Sequence, residues 1–185
     1  MSTTGKIDNP EKLNEIIAGC QNGDNRAFTQ LIDAYSTRCY GYFYRLTGNT
    51  GVSDDLLSRL FVRLVEKIGS FKGGSFEKWL FTIASNIFND YLRHEYRQRK
   101  LLEAHAEQLA EETPRRRSDD EMADRLQQQI AKLDDDTAEL ITLRFYGELS
   151  FKELSELRGE PIGTTLSKVH RGLRKLRELM GAQDG

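Results

Sequence analysis

Near the end of the chain, Lys168, Arg171, Arg174, Lys175 and Arg177 recur at helical spacing. Cations arranged this way pair with phosphate oxygens and with the acceptor edge of guanine. The opposite face of the same stretch carries Val169, Leu173, Leu176 and Met180, which suits burial. The segment before it opens with Ser150 and Glu153, the spacing of a capping box, flanked by Leu149 and Leu154 at the spacing of a hydrophobic staple. Leu154 and Leu157 turn inward, and Gly159 stops that short helix before a second begins near Thr164. Two helices, a glycine turn and a basic second helix predict a helix-turn-helix whose second helix enters a DNA major groove.

The rest of the chain supplies elements to position that motif. Asn9-Pro10 predicts a helix start, with Leu13, Ile16, Ile17 and Cys20 on one face and Asn22-Gly23 as the stop. Phe28, Leu31, Ile32, Tyr35, Cys39, Tyr42 and Phe43 follow at helical spacing from Asp24. A turn is expected over Gly48 to Gly51, then a third helix capped by Ser53 with Leu56, Leu57, Leu60, Phe61, Leu64 and Ile68 inward. Ser75 is placed to cap a fourth, carrying Trp79, Leu80, Ile83, Ala84, Ile87 and Tyr91 and running into Arg93, Arg97, Arg99 and Lys100. Leu101 to Ser118, with Pro114 and Arg115 to Arg117, reads as a flexible linker whose first half is open to helix. Periodicity returns through Met122, Leu126, Ile130 and Leu133, and Asp134 to Asp136 start a helix with Leu140, Ile141, Leu143 and Phe145 that Gly147 closes. The expected fold is all-α: residues 1–100 and 122–185 as two small helical domains joined by a linker over 101–121, the second domain a helix-turn-helix.

Composition excludes several functions. With Lys+Arg 27 against Asp+Glu 29 the net charge is −2 over 185 residues, but the charges are segregated into basic stripes separated by Asp119, Asp120, Glu121 and Asp134 to Asp136. Local stripes on an acidic protein bind nucleic acid in a salt-dependent way. No apolar run spans a membrane and the start lacks a secretory pattern, so no membrane insertion and a cytoplasmic location are expected. Cys20 and Cys39 sit at apolar helical positions and read as core thiols. His94, His105 and His170 have no ligand-spaced partners, and HExxH, GxxxxGK and GxSxG are all missing. Asp54-Asp55 are consecutive on a helix and do not face one another, so they read as first-turn charges rather than a metal site. Neither an enzyme nor a cofactor is expected.

The order of three segments, DDLLSRLFVRLVEKI, FKGGSFEKWLFTIASNIFNDYLR and GTTLSKVHRGLRKLR, resembles a bacterial RNA polymerase sigma factor of the extracytoplasmic-function type over nearly the whole chain. The resemblance implies a first domain that binds core RNA polymerase and opens the −10 promoter element, and a second that reads the −35 element. It places Asp54, Asp55, Ser58, Arg59, Val62 and Arg63 against the coiled coil of the β′ clamp. Ser58-Arg59 stands where the family commonly has Gln-Glu, which reverses a charge there. Phe71, Lys72, Phe76, Asn86, Arg93 and Arg97 fall in the stretch that takes the −10 base and the displaced strand, where aromatic surfaces and cations are needed. Trp79 reads as core. Thr164, Ser167, Lys168, His170, Arg171 and Arg174 fall in the −35-reading segment, with Ser167, His170 and Arg171 assigned to base edges and Lys168 and Arg174 to phosphates. Leu166 can touch a thymine methyl. Leu143, Phe145 and Tyr146 read as internal packing, with the β flap as the other contact open to them. Partners implied are core RNA polymerase through the β′ clamp and β flap, promoter DNA, and an anti-sigma factor. A free-standing helix-turn-helix regulator is the alternative.

Overall fold

The computed structural model describes residue 7 and residues 9–105 and 121–181, all helix and connecting turn with no strand among them. The helices run α1 (Pro10–Gln21), α2 (Asn25–Thr47), α3 (Thr50–Lys67), α4 (Phe76–His105), α5 (Glu121–Ile130), α6 (Asp135–Phe145), α7 (Phe151–Arg158) and α8 (Ile162–Gly181). Each boundary has a local cause. Asn9, Asp24 and Asp134 accept the first free backbone N–H groups of α1, α2 and α6 at 2.9, 2.8 and 2.9 Å. Ser150 and Glu153 form the expected capping box of α7, and Gly159 ends it in the left-handed conformation.

The third helix begins earlier than the sequence pattern predicts. Asn49 is its cap, accepting from the Val52 N–H at 3.1 Å. Ser53 lies inside the helix, fully buried, and donates back to the Asn49 carbonyl at 2.6 Å. Asp54 and Asp55 are therefore second-turn residues, and the turn between α2 and α3 shrinks to Gly48-Asn49. At the other end of this region α4 continues to His105, through the first residues of the expected linker, while 106–120 lie outside the described residues.

Helices α1 to α4 bury one core. Tyr42, Phe43, Leu60 and Phe81 are each fully enclosed. Aromatic edges organise it: Tyr35 meets Phe76 at 5.3 Å, Phe71 meets Phe76 at 5.5 Å, and Tyr42 meets Phe81 at 5.6 Å between ring centres. The Gln21 amide ties the end of α1 to the turn after α3, donating to the Ile68 and Phe71 carbonyls at 3.0 Å each. Helices α5 to α8 form the second unit around Ile130, Leu140, Leu143, Leu149, Leu154 and Val169.

The two units are in contact. Helix α6 lies on α2, and α7 lies on the start of α4. Arg38 of α2 donates to the Tyr146 carbonyl at 3.0 Å and to the Gly147 carbonyl at 2.8 Å, supplying donors to the free C-terminal end of α6. Arg45 donates to the Tyr146 hydroxyl at 2.9 Å. Lys78 at the start of α4 pairs with Glu156 of α7.

Candidate nucleic-acid interface

Helix α8 presents Thr164, Ser167, His170, Arg171 and Arg174 to solvent on one continuous face. Val169 and Leu176 hold the opposite face in the core. The His170 ring stacks on Phe151 at 6.3 Å and 18°, and the Arg144 guanidinium also lies over the Phe151 ring, 5.5 Å from its centre. The Phe151 contact holds His170 at the edge of the face. Leu166 is also exposed there.

Lys168 departs from the phosphate-binding role expected of it. Its ammonium donates to Asp136 and to Glu160, both at 2.7 Å. The Asp136 bond, then the Glu160 bond, raises its pKa above the ordinary lysine value. Glu160 in turn accepts from the buried Thr165 hydroxyl at 2.8 Å. Lys168 thus braces α8 against the start of α6 and the preceding turn, and its charge is already compensated.

In the first unit the cations and aromatics separate. Lys72, Asn86, Arg93 and Arg97 are exposed. Phe71 and Phe76, expected to receive an unstacked base, are buried at 8% and 2% exposure. A stacking platform must show a ring face to solvent, and both rings spend theirs on each other and on Trp79, which packs half-buried against the core. Arg93 pairs with Asp90, one helical turn before it. Both partners are exposed, so this pair is readily exchanged for a phosphate.

The outer face of α3 is equally plain. Asp54, Asp55, Ser58, Arg59, Val62 and Arg63 are all exposed along it. Val62 at 58% and Val65 at 51% add apolar surface between the charges. Arg63 pairs with Glu66 at 2.9 Å on the same face. In the second unit Leu143 is buried and Tyr146 packs against the core, whereas Phe145 is 60% exposed and does not share the internal packing expected of it.

The sequence pattern gave no warning of Glu139. It is buried in α6 among Ala138, Leu140, Ile141, Thr142 and Leu143. A helix that is apolar on every side is enclosed by its neighbours, and a lone carboxylate in such a run is the available signal. Among the described residues no group of histidine, cysteine, aspartate and glutamate is placed to hold a metal ion. Nor is any described helix long and apolar enough to cross a membrane.

The sigma-70 region 2 family model matches residues 31–98, and the sigma-70 region 4 model matches residues 130–178. The ECF RNA polymerase sigma factor SigW of Bacillus subtilis is 30% identical over 173 residues, covering 85% of this chain and 91% of that relative. The chain belongs to the ECF sigma factors. Another relative, the RNA polymerase sigma factor CarQ of Myxococcus xanthus, is 31% identical over 166 residues, covering 87% of this chain and 93% of its own. As a sigma factor the protein directs RNA polymerase to promoters. Solved sigma factors share the fold. The sigma factor RpoE of Bartonella quintana, in complex with the anti-sigma factor NepR, superposes with a TM-score of 0.70 at 22% identity, covering 84% of this chain and 98% of that one. CnrH, in complex with the cytosolic domain of CnrY, superposes at 0.67 and 20% identity, covering 91% and 96%. In this sigma factor the region 2 match ends within α4 and the region 4 match begins at the last residue of α5.

Proposed function

We propose that the exposed face of α8 reads the −35 duplex through Ser167, His170 and Arg171, with Thr164 and Arg174 on the flanking backbone. The observation that carries this reading is the continuous exposure of those side chains opposite a buried Val169 and Leu176. Lys72, Asn86, Arg93 and Arg97 hold the −10 element and its displaced strand, the cations supplying charge and Asn86 a hydrogen-bonding edge. Binding energy for the open strand, rather than hydrolysis, drives melting, so the protein acts as an initiation factor and not as a catalyst. The outer face of α3 docks on the β′ clamp of core polymerase, with Val62 and Val65 as the apolar centre and Asp54, Asp55, Arg59 and Arg63 as a charged rim. Exposed Phe145 is a contact for the β flap. The protein works in the cytoplasm, and an anti-sigma factor is its regulatory partner, as the solved complexes of relatives suggest.

Co-elution with core polymerase, followed by transcription from a promoter library, tests this reading. Variants Arg171→Ala and Arg93→Ala should each keep polymerase binding, the first relaxing the −35 motif of the transcripts and the second losing promoter-dependent transcripts. Unchanged start sites in both would contradict the assignment.

A further inference from the structure

We propose that Tyr96 is the stacking platform of the first unit, receiving an unstacked base of the displaced strand on α4 while Phe71 and Phe76 stay in the core. This role rests on the −10 reading given above, because a strand must already lie along α4 to reach the ring. Tyr96 is 69% exposed, more than any other large apolar or aromatic side chain among the described residues. The other aromatic side chains of the first unit are buried or half-buried. No ring or guanidinium among the described residues stacks on Tyr96.

The ring stands in the most cationic stretch of α4. Within one turn on either side lie Arg93, Arg97, Arg99 and Lys100, against Glu95 as the single carboxylate. Arg97 donates to the Arg93 carbonyl of its own helix at 3.2 Å, and among the described residues no carboxylate pairs with Arg97, Arg99 or Lys100. Asp135, at the start of α6, lines the open groove beside the ring and leaves these cations in excess. On α3 the exposed Val62 and Val65 adjoin one another, as an apolar protein contact requires. The exposed neighbours of Tyr96, three positions before it and three and four after, are all cations. That surrounding suits a ligand with an anionic backbone and flat bases.

Helical spacing puts the ring on the path of the strand. Asn86, Arg93, Arg97 and Lys100 are exposed and recur at seven, four and three positions, which places them on one face of α4. Tyr96 follows Arg93 by three positions and precedes Lys100 by four, so its Cβ lies about 5–6 Å from each of theirs. About 15 Å of helix separates Asn86 from the ring. A strand held at Asn86 and Arg93 meets Tyr96 by continuing along the same helix.

A base that leaves the duplex loses its stacking partners. A ring already facing water replaces one of them at a small cost in order, since a tyrosine side chain turns about only two bonds. Arg93 and Arg99, three positions to either side, carry planar guanidinium groups that stack on flat surfaces as well as pairing with phosphates. Duplex keeps its bases inside and offers this face only phosphates. Stacking is tolerant of base identity. Tyr96 therefore favours the open strand over duplex without choosing its sequence.

The test is binding of the full chain, without polymerase, to a labelled oligothymidylate strand and to the same strand annealed to oligoadenylate. Tyr96→Leu keeps an apolar side chain that suits a helix and removes the ring; Tyr96→Phe keeps the ring and removes the hydroxyl. Tyr96→Leu should weaken single-strand binding about tenfold, with duplex binding, the salt slope and the thermal midpoint unchanged. Tyr96→Phe should bind as the parent does. A parent with no affinity for the single strand, an unchanged Tyr96→Leu, an equal loss on duplex, or a loss shared by Tyr96→Phe would each overturn the proposal. So would a Tyr96→Leu variant that loses core polymerase and keeps the single strand, since the ring would then be a protein contact. Arg93→Ala, measured alongside, separates the two readings. Single-strand binding weakened by Tyr96→Leu and untouched by Arg93→Ala would sink the −10 assignment and leave the stack; the reverse pattern would sink the stack and leave the assignment.

Discussion

The Lys168 ammonium sits 2.7 Å from Asp136 Oδ2 and 2.7 Å from Glu160 Oε2, so the first cation of the basic helix is a strut of the second unit. Its neighbour Arg171 uses only its own helix, donating to the Ser167 carbonyl at 3.3 Å, and leaves the remaining guanidinium donors to solvent. Two cations three positions apart therefore have different work. Lys168→Ala should lower stability by up to about 1 kcal/mol, as a partly exposed pair permits, and leave the salt dependence of DNA binding unchanged. Arg171→Ala should leave the thermal midpoint unchanged and cost about 1–3 kcal/mol of binding with relaxed choice of the base it contacts, whereas Arg174→Ala should reduce the salt slope by about 1. Thermal melts with binding titrations across salt concentration distinguish them.

Burial separates the aromatic residues of the glycine loop from its cations. Phe76→Ala removes a ring that touches Tyr35, Phe71 and Trp79 and should cost about 3–5 kcal/mol. Lys72→Ala, a few residues away on the surface, should leave the unfolding midpoint within about 0.5 kcal/mol of the parent while weakening binding to single-stranded DNA. Denaturant unfolding of both variants checks the division.

The outer face of α3 predicts a loss confined to polymerase. Val62→Asp places a charge in the apolar centre of that face without touching the core beneath it, formed by Leu56, Leu60 and Leu64. Affinity for core polymerase should fall at least tenfold, about 1.4 kcal/mol, with the thermal midpoint unchanged. Equilibrium binding of a labelled polymerase measures it.

Alkali should destabilise the fold. Burial pushes the Cys39 thiol up from 9.0 to about 12, and burial likewise raises Cys20 and Tyr42. These acids keep their protons in the folded chain. Above about pH 9 the unfolded chain binds fewer protons than the folded one, so stability declines as pH climbs towards about 12 and is unaffected by these groups below about pH 8. The thermal midpoint measured across that range should fall, and Cys39→Ala should make the fall shallower.

Much of the molecule was legible because its signals are local. Ser150, Glu153 and Gly159 announce α7 through cap chemistry that needs no tertiary context. Asn9 and Asp134 do the same for α1 and α6. Exposure of the side chains proposed to read the −35 element followed from period alone, with Val169 and Leu176 fixing the buried side. The early start of α3 was hidden because Asn49 and Ser53 are both good caps, and only the packing of α2 against α3 decides between them. Phe71 and Phe76 were misplaced because a ring beside a glycine loop suits a platform and a core equally. Glu139 showed only as a lone carboxylate in an otherwise apolar run, and its donors Tyr42 and Ser85 come from the other unit.

Polymerase docking through α3 and promoter choice through α8 meet in one reconstituted transcription measurement. Core polymerase from the protein's own host, the full chain and a promoter library should yield start sites sharing a −35 and a −10 motif. Arg171→Ala should relax the −35 motif alone, and Val62→Asp should abolish all of them. Sequence-specific binding by the protein without polymerase, with no polymerase-dependent start sites, would contradict the account.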